Sequence, residues 1–311
     1  MRKDLHQLFD EFLFESEFVR KIKPQTIRGY KNAFWLFKKL TPSASLQTLS
    51  TSMMTTFFKA LQERKRIEGK GIIKLGVKKS TVATYWHKLN AFFHWLESKR
   101  HVRNNPLVSL SCPTPIYEDR KFLRKEEIER IVTAIHCHHD HNIFILKRNL
   151  VVFYLLLFCG LRKAELLSLQ VRDVDFERKA LTVRAETSKT DRSRQLPLHS
   201  TLIMHLKDYL NDRKTSATPH LIVSVRGNSG LSEHGLKHLV ERIRQFSGVS
   251  FHLHQFRHTF AVNFLNASKD IAKLKQLLGH KSIAMTLTYL RCLPTDHLRG
   301  DIESMSIDNL I

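Results

Sequence analysis

Three features that place many proteins in other classes are missing from this sequence of 311 residues. The four cysteines lie far apart without a Cys-x-x-Cys pair, which indicates free thiols in a reducing compartment rather than a disulfide framework. The N-terminal residues are charged and contain no apolar core with a cleavage site, so they do not resemble a secretory signal. The apolar run Leu150–Cys159 is shorter than the ~20 residues of a membrane span and predicts a buried helix. We therefore expect a cytoplasmic protein without a membrane partner.

Acidic residues are scarce relative to basic ones. The chain has 29 Asp and Glu against 51 Lys and Arg, which gives a net charge of +22. A charge of this size indicates a polyanionic partner, and nucleic acid is the first candidate because neutralised phosphates release counterions. The excess is denser at the N-terminal end, where residues 1–116 carry +13 of it. A basic surface without a specific partner is the competing interpretation.

A basic stretch punctuated by glycines lies within this N-terminal part. Glycines at positions 69, 71 and 76 predict a flexible loop, and Glu68 is its only acidic residue. A solvated loop is one interpretation, but such a density of cations favours contact with DNA phosphates. The predicted DNA-binding residues are Arg64, Lys65, Arg66, Lys70, Lys74, Lys78 and Lys79.

Apolar spacing predicts a mainly α protein with a small antiparallel β-sheet, arranged as an N-terminal helical bundle and an α+β catalytic domain. From a predicted N-cap at Ser80 to Leu96, apolar side chains recur every three or four residues, as on a helix packed in a core. The segments Leu181–Arg184 and Arg194–Leu198 read as two strands joined by a polar turn. Asparagines and prolines near residue 105, between the predicted helix and these strands, indicate a linker. We expect a helical DNA-binding domain over residues 1–105, a linker over 106–121, a catalytic domain over 122–297 and a C-terminal tail over 298–311.

Arginine, histidine and tyrosine residues near the C-terminus have a spacing that suits chemistry on a phosphodiester. His254 and Arg257 are three residues apart and share a face if the segment is helical. Arginine keeps its charge and presents a planar fork of donors to phosphate oxygens, and histidine can donate a hydrogen bond or move a proton. Tyr289 follows His280 by nine residues, and a phenol can attack phosphorus where its neighbours stabilise the phenolate.

Five motifs follow one another along the chain. They are Lys23–Tyr30 with the helix that ends before Asn105-Pro106, then Gly160–Leu169, Lys189 eight residues before Pro197, the His254–Ala261 box, and Leu278-Gly-His280 with Tyr289. In order and spacing these motifs resemble the tyrosine recombinases, also called the phage integrase family, over nearly the whole chain.

The resemblance implies a two-domain site-specific DNA recombinase, similar to chromosome-dimer and plasmid resolvases. Such an enzyme cleaves and rejoins strands through a 3′-phosphotyrosyl intermediate, in integration, excision or resolution of DNA, without a metal, ATP or another cofactor. The implied catalytic residues are Arg162, Lys189, His254, Arg257, His280 and Tyr289, with His258 and Glu165 in supporting positions.

The resemblance also implies a role for each of these residues. Tyr289 is the nucleophile, and Arg162 and Arg257 hold the scissile phosphate and neutralise charge in the transition state. The histidines donate to the same phosphate or take the tyrosine proton. Lys189 protonates the 5′-hydroxyl that leaves. Arg162 can also pair with Glu165, three residues further on, so a structural role is the alternative for that arginine.

The expected partner is double-stranded DNA that carries recombination half-sites. The resemblance implies a homotetramer in the synapse, while a free monomer or a related recombinase as second partner both remain open. In the tail, Ile302, Met305, Ile307 and Leu310 are apolar among acidic residues. Such a tail is poorly suited to DNA, and the resemblance implies that it docks on a neighbouring protomer.

Two other classes of function compete with this one. A metal-dependent transposase or nuclease needs converging carboxylates, for which Asp173 and Asp175 are the candidates. The stretch His136–His141 is rich in metal-capable groups, but adjacent residues rarely converge on one ion, and we predict no metal site there. A catalytically silent DNA-binding protein of the same fold is the remaining alternative.

Overall fold

The chain divides into two compact units, Met1–Glu118 and Asp119–Ile311. The predicted linker spans this division, and its first residues belong to the N-terminal unit, because Leu107 is fully buried in that unit's core. Lys70, Lys189 and the tail over 298–311 lie outside the described residues. The computed structural model describes residues 3–68, 71–114, 122–139, 141–187, 192–213, 217–225 and 229–292.

The N-terminal unit is a helical bundle with an aromatic core. Its elements are α1 (Leu5–Phe14) with a π-helical turn (Glu15–Val19), α2 (Pro24–Leu40), α3 (Thr51–Glu63), β1 (Lys65–Glu68), β2 (Ile72–Leu75) and α4 (Lys79–Ser98). Phe9 of α1 stacks on Phe34 of α2 at 3.9 Å between ring centroids, and Phe92 of α4 meets Phe9 edge-on at 5.1 Å. The predicted stripe of α4 is confirmed by the burial of Val82, Leu89, Phe92, Phe93 and Leu96. Lys78, not the predicted Ser80, is the N-cap residue of this helix.

The stretch predicted as a flexible basic loop is instead a β-hairpin, so that prediction was wrong. β1 and β2 pair antiparallel, with Arg66 opposite Lys74 and Ile67 opposite Ile73. The isoleucines favour extended backbone, and Gly71 adopts a φ of 78°, which few other residues tolerate. Gly71 therefore leads directly into β2 with a left-handed backbone, in a paired structure rather than a loop.

The C-terminal unit combines helices with a three-stranded antiparallel sheet, in which β3 (Val174–Asp175), β4 (Ala180–Val183) and β5 (Arg194–Pro197) are neighbours in that order. The predicted strands are confirmed as β4 and β5, whereas β3 was not predicted because its two residues are too few to show an alternating pattern. The elements are α5 (Lys125–Cys137), α6 (Ile143–Cys159), α7 (Lys163–Ser168), β3 (Val174–Asp175), β4 (Ala180–Val183), β5 (Arg194–Pro197), α8 (Ser200–Asp212), α9 (Glu233–Ser247), α10 (Leu253–Ser268), α11 (Ile271–Leu278) and α12 (Ala284–Leu287).

Helix α6 is the central helix of this unit and contains the apolar run that predicted a buried helix. It packs against α8 and α10, and most of its residues from Arg148 onward are buried. The helix ends at Gly160 with a φ of 55°, and a Cβ at that position would lie 2.6 Å from the ring of Phe260 on α10. Glycine therefore ends the helix and permits the close approach of α10. Within the described stretches, no helix has the length and apolarity needed to cross a membrane.

Candidate active site

Arg257 is an enclosed cation at the centre of the C-terminal unit, with 1% of its surface exposed. It lies on the second turn of α10, and its guanidinium donates to the carbonyl oxygens of Gly160 at 2.9 Å and Leu278 at 2.6 Å. These carbonyls stand at the C-terminal ends of α6 and α11, where the helix dipole is negative. Burial, together with the smaller effect of the neighbouring charge of Arg162, lowers the pKa of Arg257 to about 10. Arg257 is therefore still a cation at neutral pH.

Glu165 holds two further arginines beside Arg257. Its buried carboxylate accepts hydrogen bonds from Arg194 Nη1 and Nη2, at 3.1 and 2.7 Å, and from Arg162 Nη1 at 2.8 Å. The backbone N–H of Arg162 donates to it as well, at 2.9 Å, which begins α7. Burial raises the pKa of Glu165, but the hydrogen bonds and charges of the two arginines outweigh burial and bring the pKa to about 2. The ionised carboxylate therefore orients both guanidinium groups.

His280 contacts Arg257 from the end of α11. Gly279 ends that helix with a φ of 64°, and the next side chain turns back so that His280 Nε2 lies 3.1 Å from Arg257 Nη2. Arginine has only donors, so Nε2 must accept this hydrogen bond, which leaves the ring proton on Nδ1. Nδ1 then donates to Thr286 Oγ1 at 2.9 Å. In this arrangement His280 is a neutral imidazole that can take up a proton at Nε2.

Tyr289 reaches the same cluster from the segment after α12. Its ring is 1% exposed and packs among Ala261, Leu265, Leu274 and Leu278. The hydroxyl lies 3.3 Å from His258 Nδ1. The ring of His280 is parallel to that of Tyr289 at 6.2 Å between centroids. The phenol is therefore held inside the protein, with histidine rings on two sides.

His254 and His258 lie one turn apart on α10 and form a pair. Their ring centroids are 4.5 Å apart with an interplanar angle of 77°. His258 was predicted only to support the catalytic residues, yet its Nδ1 lies 3.3 Å from the Tyr289 hydroxyl. The HxxRH spacing alone does not reveal this contact, because the rings of His254 and His258 are both on the same side of the helix.

The charge of the cluster suits an anion. The three arginines and the single carboxylate of Glu165 leave two positive charges uncompensated within this group. A cleft of about 670 Å³ opens beside His280, and Arg192, Lys275 and Lys281 are among the residues that line it. Clustered positive charge at a concave surface concentrates polyanions.

Most of the predicted catalytic residues meet in this cluster, and one residue of the cluster was missed. Arg162, Arg257, His280 and Tyr289 come together, with His254 adjoining through His258. Arg194 was not predicted, although it is buried and bonds both Glu165 and the Leu277 carbonyl. The sequence signal for Arg194 was its position in β5, where Arg194 and Leu196 both lie on the inward face of the strand. A buried arginine requires an anionic partner.

The residues proposed for metal binding have other contacts. Asp173 is buried, lies 3.2 Å from Arg184 Nε and accepts a hydrogen bond from the backbone of Gln170 at 2.8 Å. His138 stacks on Phe246 at 3.7 Å between ring centroids. Among the residues that the structure describes, no three His, Cys, Asp or Glu side chains are grouped so that they could hold one metal ion.

The fold is that of DNA recombinases of known structure. The Tn1549 transposon integrase, solved in complex with a circular intermediate DNA, matches with a TM-score of 0.74 and 19% identity over 96% of this chain and 98% of that one. The XerH site-specific recombinase, solved with its palindromic difH substrate, matches with a TM-score of 0.73 and 20% identity over 94% of this chain and 83% of that one. These likenesses define the class of fold, an N-terminal core-binding domain followed by a recombinase catalytic domain.

Sequence relatives define the family. Residues 121–295 match the model of the phage integrase family. Tyrosine recombinase XerA of Pyrococcus horikoshii is 32% identical over 217 residues, which cover 69% of each chain. Tyrosine recombinase XerC of Oceanobacillus iheyensis is 25% identical over 307 residues, or 95% of this chain and 94% of that relative. The chain therefore belongs to the phage integrase family of tyrosine recombinases, and it is a site-specific DNA recombinase that cleaves and rejoins strands. The predictions of family, fold class and enzymatic activity are confirmed.

Proposed function

We propose that this recombinase exchanges strands between two DNA sites as a homotetramer, with Tyr289 of each protomer as the nucleophile. The observation that carries the proposal is the position of the Tyr289 hydroxyl, 3.3 Å from His258 within the cluster that contains Arg257 and His280. The two positive charges left uncompensated there are available to the negative charge that develops on phosphorus.

Arg162 and Arg257 bind the non-bridging oxygens of the scissile phosphate in this proposal. Among the described residues, Arg257 uses three of the five N–H donors that a guanidinium offers. Donors therefore remain for a phosphate oxygen. Arg162 is more accessible, with 18% of its side chain exposed, and Glu165 fixes one edge of its guanidinium. When the phosphate takes the Arg257 donor that now faces His280, Nε2 of that histidine can bind a proton and donate to the phosphate as well.

The cleavage step exchanges one phosphodiester bond for another. The Tyr289 oxygen attacks phosphorus, the bond from phosphorus to the 5′ oxygen breaks, and a 3′-phosphotyrosyl ester forms. The phenolic proton passes to the pair of His254 and His258, of which His258 Nδ1 lies 3.3 Å from the hydroxyl in the described conformation. Lys189 supplies the proton to the 5′ oxygen. Attack by a 5′-hydroxyl of the partner strand reverses these steps, so rejoining needs neither ATP nor a metal ion.

Burial of the nucleophile adds a step before this chemistry. With 1% of Tyr289 exposed, a phosphate cannot approach its hydroxyl in the described conformation. We infer that DNA binding displaces α12 and the residues that follow it, so that the phenol turns towards the cleft beside His280.

The remaining assignments concern the roles of the domains and the cellular location of the protein. The N-terminal domain over residues 1–105 binds DNA, joined through the 106–121 linker to the catalytic domain over 122–297, and the tail over 298–311 docks on a neighbouring protomer. Support for DNA binding by the N-terminal domain comes from its +13 charge over residues 1–116. The protein acts in the cytoplasm, where its free thiols stay reduced.

A covalent trapping experiment tests the nucleophile. Selection from a library of randomised duplexes with the Tyr289→Phe chain first defines a bound site. A nicked duplex of that site is then incubated with the wild-type chain, with Tyr289→Phe and with Tyr154→Phe, which alters another tyrosine of the same unit. We expect a denaturation-resistant protein–DNA adduct with wild type and Tyr154→Phe only, and the same yield in EDTA. An adduct with Tyr289→Phe would contradict the assignment, and loss of the adduct in EDTA would favour metal-dependent cleavage.

A further inference from the structure

An acidic, apolar surface lies on the N-terminal unit of this basic protein. Residues 10–19 contain four carboxylates and neither Lys nor Arg. On the same segment Phe14, Phe18 and Val19 are 62–71% exposed, and the rings of the two phenylalanines lie 4.7 Å apart between centroids. We call Phe14, Phe18, Val19, Asp10 and Glu17 the acidic surface. Exposed apolar groups of this size mark an interaction site, and the carboxylates disfavour DNA as its partner.

The acidic surface follows from the π-helical turn after α1. The inward side chains of α1, such as Leu8 and Phe12, are buried in the core of the unit. The turn Glu15–Val19 is wider than an α-helical turn, with the Arg20 N–H donating to the Glu15 carbonyl. Glu15 itself is fixed by Trp95 and Lys99, while no ion pair forms between Asp10 or Glu17 and any residue the structure describes. Two carboxylates therefore remain available to a cationic partner.

The β-hairpin presents the complementary surface. Directly opposed residues of an antiparallel pair share a face, so Ile67 and Ile73 lie on one side together with Lys65 and Leu75. Ile67, Ile73 and Leu75 are 67–79% exposed. We call these four residues the hairpin surface. An isolated two-stranded hairpin that buries little on either face gains stability when a partner covers it.

We propose that the hairpin surface of one copy of this chain binds the acidic surface of the next copy. Each surface joins three exposed apolar side chains to charge of one sign, which is the carboxylates of Asp10 and Glu17 on the acidic surface and the ammonium of Lys65 on the hairpin surface. Neither surface covers the other within one chain, since both are exposed. Pairing two different surfaces makes a heterologous contact, and repetition of such a contact gives a ring when the rotation from one copy to the next closes. The inference rests on the proposed function, because the tetramer proposed for the synapse is the ring that this contact would close.

The small size of the contact determines the conditions under which it forms. Three apolar side chains on each partner are far fewer than the ~20–30 residues a side of a stable interface. Free copies therefore stay apart, and the contact forms when DNA holds copies side by side at high effective concentration. The expected signature is cooperative binding to DNA rather than a dimer in solution.

A charge exchange between the two surfaces tests the proposal. Variant A carries Asp10→Lys and Glu17→Lys, and variant H carries Lys65→Glu. Binding is measured on a random-sequence duplex of about 60 base pairs, which holds several copies, and on one of about 15 base pairs. Each variant alone should lose cooperativity on the long duplex by roughly fivefold or more, because like charges then face each other. An equimolar mixture of A and H should restore it, since each surface again meets its opposite in an alternating array.

The outcomes separate this contact from a direct role in DNA binding. If H binds the short duplex more weakly and the mixture does not recover cooperativity, the hairpin contacts DNA and the proposal is wrong. Unchanged cooperativity of both single variants would also overturn it. The covalent adduct on the nicked duplex is measured with the same proteins as an independent readout. Wild-type adduct levels with lost cooperativity would support the contact, whereas absence of an adduct even from wild type would count against the proposed catalytic mechanism only.

Discussion

Arg257 illustrates how a single residue can be both buried and charged. A guanidinium removed from water needs acceptors, and two helix C-termini supply them through the Gly160 and Leu278 carbonyls. Its pKa of about 10 shows the cost of burial and of neighbouring cations, yet protonation at neutral pH persists. The carboxylate of Glu165 compensates part of the positive charge of Arg162 and Arg194. The site thus holds its positive charges in place before any substrate arrives, which is the arrangement that stabilises a developing anion most effectively.

Glu165→Gln should destabilise the protein by about 3 kcal/mol at neutral pH, because Arg194 stays buried without its anion. The pKa of Glu165 is lowered to about 2 from 4.5, so its contribution is present above the ordinary value and declines as the pH falls towards 2. The difference between the two proteins in free energy of unfolding, measured with urea, should therefore shrink on acidification.

The control for this substitution is Glu241→Gln, which removes an exposed carboxylate 3.6 Å from Lys237 on α9. Its effect should stay below about 0.5 kcal/mol. A difference between wild type and Glu165→Gln that stays constant down to the lowest pH at which the protein folds would contradict the assigned ionisation of Glu165.

Helix ends position the catalytic groups at the scale of secondary structure. α6 stops at Gly160, two residues before Arg162, and α11 stops at Gly279, one residue before His280. Both glycines have a positive φ, so each helix turns sharply and delivers the next side chains towards Arg257. The carbonyls exposed by these terminations are the ones that bind Arg257. The ends of these two helices therefore supply both the reactive groups and their support.

Gly160→Ala should lower stability by about 1–2 kcal/mol through its left-handed backbone, with a further loss from the contact with Phe260. A Cβ there would lie 2.6 Å from that ring and would displace the carbonyl that binds Arg257. Gly248→Ala is the matched control, because it ends α9 with a φ of 64° and meets only the flexible end of Arg130. Urea unfolding and adduct formation on the nicked duplex give the two readouts. Equal losses for both substitutions would contradict the proposed role of close packing at Gly160.

At the scale of the whole molecule, charge and apolar surface are distributed unevenly. Residues 1–116 carry +13 of the net +22, yet the acidic surface lies within the same region. The catalytic cluster is assembled entirely from elements of the C-terminal unit. Cleavage chemistry and contacts between copies are therefore separable properties, which substitutions can affect one at a time.

Truncation after residue 297, at the C-terminal end of the chain, should also separate cleavage chemistry from contacts between copies. Removing the acidic, apolar tail should leave adduct formation on a single nicked site within about twofold of wild type, because the cluster from Arg162 to Tyr289 is retained. Recombination between two sites should fall by roughly tenfold or more if the tail docks on a neighbouring protomer as we propose. Native gel electrophoresis of two-site complexes provides the measurement. Wild-type recombination by the truncated chain would rule out the docking role of the tail.

Much of this protein is determined by local sequence. Helical spacing predicted α4 and α6 because burial of one stripe, or of a whole helix, is recorded in neighbouring residues. Alternation predicted β4 and β5 for the same reason. The hairpin of β1 and β2 escaped prediction because its strands are four residues long and largely exposed, so no buried face imposed a pattern. Net charge and motif order required no structure at all.

Only the tertiary structure decided how the catalytic groups meet. The contact of Arg257 with Gly160 joins residues 97 positions apart, and the contact of Arg194 with Glu165 joins residues 29 apart. The packing of whole helices and strands determines such distances, and no local periodicity records them. For the same reason the structure, and not the HxxRH spacing, placed His258 beside the Tyr289 hydroxyl and showed Tyr289 to be buried. Sequence determined which chemical groups are present, and packing determined which of them touch.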